Sequence, residues 1–176
     1  IHKPGDDPSE ANWAQCFRAF KDLFDHVPFM PAVGDHDDGD GAAQYKENFA
    51  LPGNELYYSF NWGRCHFISL YVTWNEKLEP SSKQIQWLKK DLRSASQKGY
   101  DFIIAYYHLP MDTVGNYGRE TGQWKARAKL LPLFKKFGVH ISFGAHDHNY
   151  QHWEIEGHTH IVTGGLSKER LYPIAA

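Results

Sequence analysis

Three short apolar runs constrain this chain more than anything else in it. Residues 29–33, 101–107 and 139–143 are each bounded by turn-forming residues and read as buried strands. Each run ends in a turn that carries histidine or aspartate: Asp35 and His36 after the first, His108 after the second, His146 and His148 after the third. In α/β sheets, ligands collect outside the carboxyl ends of the strands. Three such exits in one sheet region would therefore gather these side chains at one edge.

The segments between fit that plan. Ser9 can cap a helix over residues 9–26, with Trp13, Cys16, Phe17, Phe20, Phe24 and Val27 at helical spacing, and Pro28 ends it. A short helical turn is expected over residues 44–49. Residues 56–60 and 65–70, joined at Asn61-Trp62-Gly63, read as a hairpin. Pro80-Ser81-Ser82-Lys83 opens a helix that buries Ile85, Leu88, Leu92 and Ala95. A last helix spans 123–137 with Trp124, Ala128, Leu131 and Phe134 on one face, and Pro132 should kink or split it. Residues 153–156 and 158–163 pair as strands. Helices alternating with apolar strands, plus a hairpin, predict an α/β or α+β fold with two sheets.

Several function classes drop out. The formal charge is −2, so no broad basic field points to nucleic acid or anionic membrane. No apolar run is long enough to span a membrane. Cys16 and Cys65 are the only cysteines, with no C-x-x-C, so cysteine supplies neither a disulfide framework nor a zinc cluster. A single bridge between them stays open, although their apolar neighbours favour buried thiols. Hydrophobic residues at 41% and aromatic residues at 15% allow a packed core in a chain of 176 residues.

What remains is histidine, eleven of them unevenly spread. His146 and His148, one residue apart in a turn, read either as a solvated polar loop or as half of a metal site. Residues 34–40 hold four carboxylates and one histidine, and again a solvated acidic loop competes with a ligand site. An EF-hand is excluded, because the glutamate at loop position 12 is absent. His66 sits within a strand and reads as structural or surface. His158 and His160 share one strand face, with ligation the lesser reading.

The order Gly34-Asp35-His36-Asp37, His108-Leu109-Pro110, Ala145-His146-Asp147-His148-Asn149-Tyr150 resembles the calcineurin-like metallophosphoesterases, which include purple acid phosphatases. Tyr58-Ser59-Phe60, Trp62-Gly63, His66-Phe67-Ile68, Gln86-Trp87-Leu88 and Phe137-Gly138-Val139 extend the likeness over roughly residues 9–166. The resemblance implies a four-layer α/β/β/α sandwich of two mixed sheets. It also implies a phosphoesterase acting on small-molecule phosphomonoesters or phosphodiesters. Two transition-metal ions (Fe, Zn or Mn) would clamp the phosphoryl group and ionise a water between them. Asp35, His108 and His146 would ligate one ion and His148 the other. His36 would contact the phosphate or protonate the leaving oxygen, oriented by Asp37. Tyr150 and His152 would stand at the substrate rim. A secreted or periplasmic location is implied too.

Departures from the family pattern shape the expectation. Asp-x-His and Gly-Asp-x-x-Asp or Gly-Asp-x-x-Tyr are missing upstream of Trp13, and Gly5-Asp6-Asp7 only imitates the second. Residues 1–176 are therefore expected to be a single domain lacking its first strands and a short C-terminal part, with an incomplete second metal site and weak or no activity alone. Asp35 stands where the family has asparagine, adding a negative charge that attracts cations and repels phosphate. That motivates an alternative, a degenerate member that binds metal or a phosphorylated ligand without hydrolysis. A histidine-rich binding domain alike only in fold is the third reading. Ala145 replaces a glycine, tolerable unless φ is positive there. His152 replaces an arginine, and Tyr71 an aspartate.

Overall fold

The computed structural model describes residues 10–74, 78–115 and 121–164. Six strands form one mixed sheet: β1 (Tyr58–Trp62), β2 (Cys65–Ser69), β3 (Phe102–Tyr106), β4 (Ile141–Gly144), β5 (Tyr150–Ile155) and β6 (His158–Thr163). Their spatial order is β1-β2-β3-β4-β6-β5. β1 and β2 form the expected antiparallel hairpin, and β5 with β6 forms another. Between them β2, β3, β4 and β6 run parallel. Parallel strands need long crossovers, and here helices α4 (Lys83–Gln97) and α5 (Thr121–Phe137) lie in two of the intervening connections.

The register places the functional exits level with one another. Ile104 pairs with Ile141 and Tyr106 with Phe143. The ladder runs on past both strands: Tyr107 N donates to Phe143 O at 3.0 Å and Ala145 N to His108 O at 2.8 Å. His108 and His146 therefore leave the sheet side by side.

Helix α4 starts where the sequence predicts, its Ser82 Oγ accepting from Ile85 N at 3.3 Å. Ile85, Leu88, Leu92 and Ala95 are buried against Ile68, Ile103, Ala105, Leu130 and Phe134. Truncating any one of the large members to alanine should cost about 2–5 kcal/mol. A second, smaller cluster gathers Val33, Ala42, Tyr45 and Tyr71, with Trp13 and Phe49 packed against it.

Three expectations change. The first helix is two: α1 (Glu10–Ala19) and α2 (Lys21–Phe24), because Phe20 leaves the helical region at φ −109°, ψ 15°. Residues 29–33 form no strand. Pro28 and Pro31 lack the N–H a ladder needs, and side-chain hydroxyls hold the segment instead. Tyr45 Oη and Tyr58 Oη donate to Pro31 O at 2.9 and 2.5 Å, and Tyr106 Oη donates to Met30 O at 2.9 Å. Val33 is buried, while Phe29 is exposed. Finally, α5 is not split at Pro132, which faces solvent. The expected helical turn appears as α3 (Ala43–Asn48). Cys16 and Cys65 are both free thiols. The Ser9 cap, the turn over residues 1–8, the Trp124 side chain and the chain end beyond Gly164 lie outside the described residues. A second sheet is not among those residues.

Candidate metal centre

Asp35 reaches the β3 and β4 exits from the extended segment that the tyrosines hold. Its Oδ1 lies 2.6 Å from His108 Nε2 and its Oδ2 3.3 Å from His146 Nδ1. The two imidazole nitrogens are themselves 3.1 Å apart. Among the described residues these three make the one group of His, Cys, Asp or Glu side chains able to grip a single ion. Two nitrogens and one carboxylate oxygen suit zinc, iron or manganese, with ligand distances of about 2.0–2.2 Å. Three donors within about 3 Å of one another fit one such ion. Burial works against ionisation of Asp35, but hydrogen bonds from His108 and His146, and their charge, hold its carboxyl well below the usual carboxylate range.

His146 adopts φ +59°, the left-handed region. Ala145 does not, which explains why alanine is tolerated where the family has glycine. A non-glycine residue there costs about 1–3 kcal/mol and persists only where its surroundings enforce it. The enforcing group is Asp147, fully buried. Its Oδ2 accepts from Thr113 Oγ1, its N–H bonds Ala145 O at 2.7 Å, and its C=O accepts from Asn149 N at 2.8 Å. Gln151 braces the cluster, donating to Thr113 Oγ1 and Asn149 Oδ1 at 2.7 Å each. Gly115 and Gly164 are required here by close approach. A Cβ on Gly115 would come 2.4 Å from the Asp147 carboxyl, and one on Gly164 would come 2.2 Å from its carbonyl oxygen.

The other sequence candidates are placed as follows. His36 is exposed on the loop beyond Asp35. Asp37 turns back so that its Oδ2 accepts from Gly34 N at 3.1 Å. His148 lies outside the three-residue group. Tyr150 is exposed at the start of β5, and His152, on the same strand face, is exposed beside Glu154 at 3.3 Å. The structure thus brings Asp35, His108 and His146 together and leaves Tyr150 and His152 at the surface.

Two residues with no assigned role prove structural for the site. Besides Asp147, Asp38 is buried and accepts from Tyr71 Oη and from Thr73 Oγ1, tying the acidic loop to the chain beyond β2. The tyrosine at 71, odd against the family pattern, is the sole sequence hint of that bond. His66 is buried between Asn61 Oδ1 and Asp91 Oδ2, at 2.8 Å from each, and is structural as read. A cavity of about 550 Å³ on α5 contains none of these residues, and its Arg127, Lys135 and Glu156 are already paired.

The profile of the calcineurin-like phosphoesterase family matches residues 3–150. Acid phosphatase type 7 of Mus musculus is 28% identical over 82% of this chain and 41% of its own length. Purple acid phosphatase 15 of Arabidopsis thaliana is 28% identical over 92% of this chain and 34% of its own. The chain therefore spans less than half the length of these relatives. In structure it is similar to the purple acid phosphatase PPD1 of yellow lupin, Lupinus luteus. That likeness has a TM-score of 0.68 at 20% identity and covers 81% of this chain and 29% of that one. It is also similar to GAP50, the anchor in the inner membrane complex of Plasmodium, with a TM-score of 0.54 at 24% identity over 72% and 41%. With the family profile spanning most of its length, the chain belongs to the calcineurin-like phosphoesterase family.

Proposed function

We propose that the protein carrying this chain is a metal-dependent phosphoesterase that hydrolyses small-molecule phosphomonoesters or phosphodiesters. The observation that carries this is the convergence of Asp35 on His108 and His146 at two adjacent strand exits in a member of this family. In this reading they hold one cation and His148 serves a second, whose remaining ligands belong to upstream strands of a four-layer sandwich. Bound cations would supply charge to grip the phosphoryl group and a water made acidic enough to attack it. The chain's own residues do the rest. Asp35 stays ionised between its two histidines. Asp147 keeps His146 in its strained conformation. His36, exposed beside the site, donates the proton the leaving oxygen needs, with Asp37 orienting it. Tyr150 and His152 stand at the rim. We place the protein in a secreted or periplasmic setting, as the family resemblance implies.

The test uses the full-length protein with added Mn, Zn or Fe. It should hydrolyse p-nitrophenyl phosphate and an alkyl phosphate, and His36→Ala should slow the alkyl substrate by about 100-fold or more. The p-nitrophenyl ester should lose less, since that leaving group scarcely needs a proton. No turnover under any metal would sink the reading. Asp35, where the family pattern has asparagine, supports a second reading: a degenerate member that binds metal or a phosphorylated ligand without hydrolysis. Membership in a fold does not guarantee chemistry. A large rate gain in Asp35→Asn would favour this second reading.

A further inference from the structure

We infer that Trp74 is a specificity-determining residue that selects phosphoesters carrying a planar aromatic group, an inference that rests on the phosphoesterase reading. A singly exposed tryptophan on a protein surface needs no explanation; this one draws attention by its position. Its ring centroid lies 5.5 Å from that of His146, edge to face at 77°. The indole is nevertheless 41% exposed. It touches a member of the metal group with one part and offers the rest to whatever approaches that group.

The backbone behind it is fixed from several sides. Leu70 N donates to Tyr106 O at 3.0 Å, and Leu109 N donates to Val72 O at 3.1 Å, so residues 70–72 extend the sheet beside the His108 exit. Gln84, buried, bonds both the N–H and the C=O of Tyr71, at 2.8 and 2.9 Å. Tyr71 and Thr73 both donate to Asp38, on the loop that carries Asp35 and His36. Leu70, Tyr71, Val72 and Thr73 are all buried, and Trp74 is the first side chain to emerge. Its backbone is tied to two of the site-bearing segments, the β3 exit and the Asp35 loop, and its ring meets the third at His146. Other exposed large apolar side chains, such as Trp62, Phe102 and Leu23, have no ring contact with the metal group among the described residues.

A rigid, half-exposed indole beside a phosphoryl-binding centre is a stacking platform. Stacking of a planar ring on an aromatic side chain is sequence-tolerant and stabilises by an amount worth about 5-fold or more in affinity. An aryl phosphate and a nucleotide both supply such a ring. An aliphatic phosphate does not.

The experiment is equilibrium binding by calorimetry to the Mn- or Zn-loaded full-length protein. Ligands are phenylphosphonate, propylphosphonate and a methylenephosphonate analogue of adenosine monophosphate, none of them hydrolysable. Phenylphosphonate or the nucleotide analogue should bind at least about 5-fold more tightly than propylphosphonate. Whichever aromatic ligand gains more identifies the source of the ring. Trp74→Leu should erase that preference while leaving the propylphosphonate Kd unchanged, and Trp74→Phe should restore part of it. Equal binding of all three, or a preference that survives Trp74→Leu, overturns the inference and leaves the phosphoesterase reading standing. Parallel loss of every ligand in Trp74→Leu marks a structural role and overturns it as well. Selective binding without turnover of any ester would uphold Trp74 and defeat hydrolysis instead. Failure of the wild type to bind any of the three would overturn both.

Discussion

His146-Asp147-His148 and His158-Thr159-His160 share one spacing, but the first lies in the turn leaving β4 and the second lies inside β6. In β6 the alternation of a strand sends both histidines to the same face, into the core, and Thr159 to the other. There they form a single directed chain of hydrogen bonds. Met111 N donates to His160 Nε2 at 3.2 Å, and His160 Nδ1 lies 2.8 Å from Ser142 Oγ. Ser142 Oγ lies 2.9 Å from His158 Nε2, and His158 Nδ1 lies 3.2 Å from Val139 O. With both rings neutral, every donor finds one acceptor. In the turn the positive φ at His146 inverts the pattern: the middle residue, Asp147, is buried, and His146 is sent to Asp35 and His108. Spacing alone therefore does not make a ligand pair. Backbone conformation decides whether histidines satisfy one another or converge on a cation.

The largest expected effect is on metal binding. His146→Ala should weaken Mn or Zn binding by at least about 100-fold, because losing even an outer partner of a ligand costs about 10–100-fold. Calorimetric titration would read it, with the urea midpoint scarcely moved. His160→Ala should do the reverse. It leaves the Met111 N–H and Ser142 short of partners in the core, a loss of about 2 kcal/mol in urea unfolding, while metal affinity holds. If His160→Ala proved to empty the metal site as His146→Ala does, the contrast would collapse.

How much of this the sequence alone could reveal depends on the range of the forces involved. His108 and His146 were legible because each follows an apolar strand ending on a turn residue, and Asp35 because it follows an apolar run of the same kind, although that run forms no strand. The helices α4 and α5 were legible for the same reason. Residues 29–33 were not: their hydrogen bonds come from Tyr45, Tyr58 and Tyr106, far away along the chain. Nor was Asp147, whose burial depends on Thr113, Gly115 and Gly164 closing around it. Periodicity could place His158 and His160 on one face, but Ser142, which joins them, stands on a different strand.

The middle residues of the two triplets give a subtler contrast. Asp147→Ala removes the acceptor of Thr113 and frees His146 from its strained conformation. Metal affinity should fall by about 10-fold, the low end of losing an outer partner. Thr159, by comparison, donates its side-chain hydroxyl to the exposed Glu154 at 2.8 Å. Thr159→Ala should change stability by less than about 0.5 kcal/mol and leave metal affinity alone. Equal effects of the two substitutions on metal titration would show that Asp147 does not hold the site.

A last effect concerns acid. Burial, followed by the neighbouring His158, pushes the His160 pKa down to about 3 from an ordinary 6.5, against a hydrogen bond to Ser142 that raises it. Burial likewise lowers His158. A group whose folded pKa is depressed takes up its proton more readily in the unfolded chain. The stability gained by keeping His160 neutral is thus whole above about pH 6.5 and is lost progressively as pH falls toward about 3. Between pH 7 and 5.5 that loss is about 1 kcal/mol. His160→Gln can still accept from Met111 N and donate to Ser142 but does not titrate. Its urea midpoint, measured at both pH values in chelator, should fall less than that of the wild type by that amount. Identical acid slopes would mean that His160 is protonated alike in both states, and the one-way chain of hydrogen bonds drawn for the buried pair would have to be abandoned.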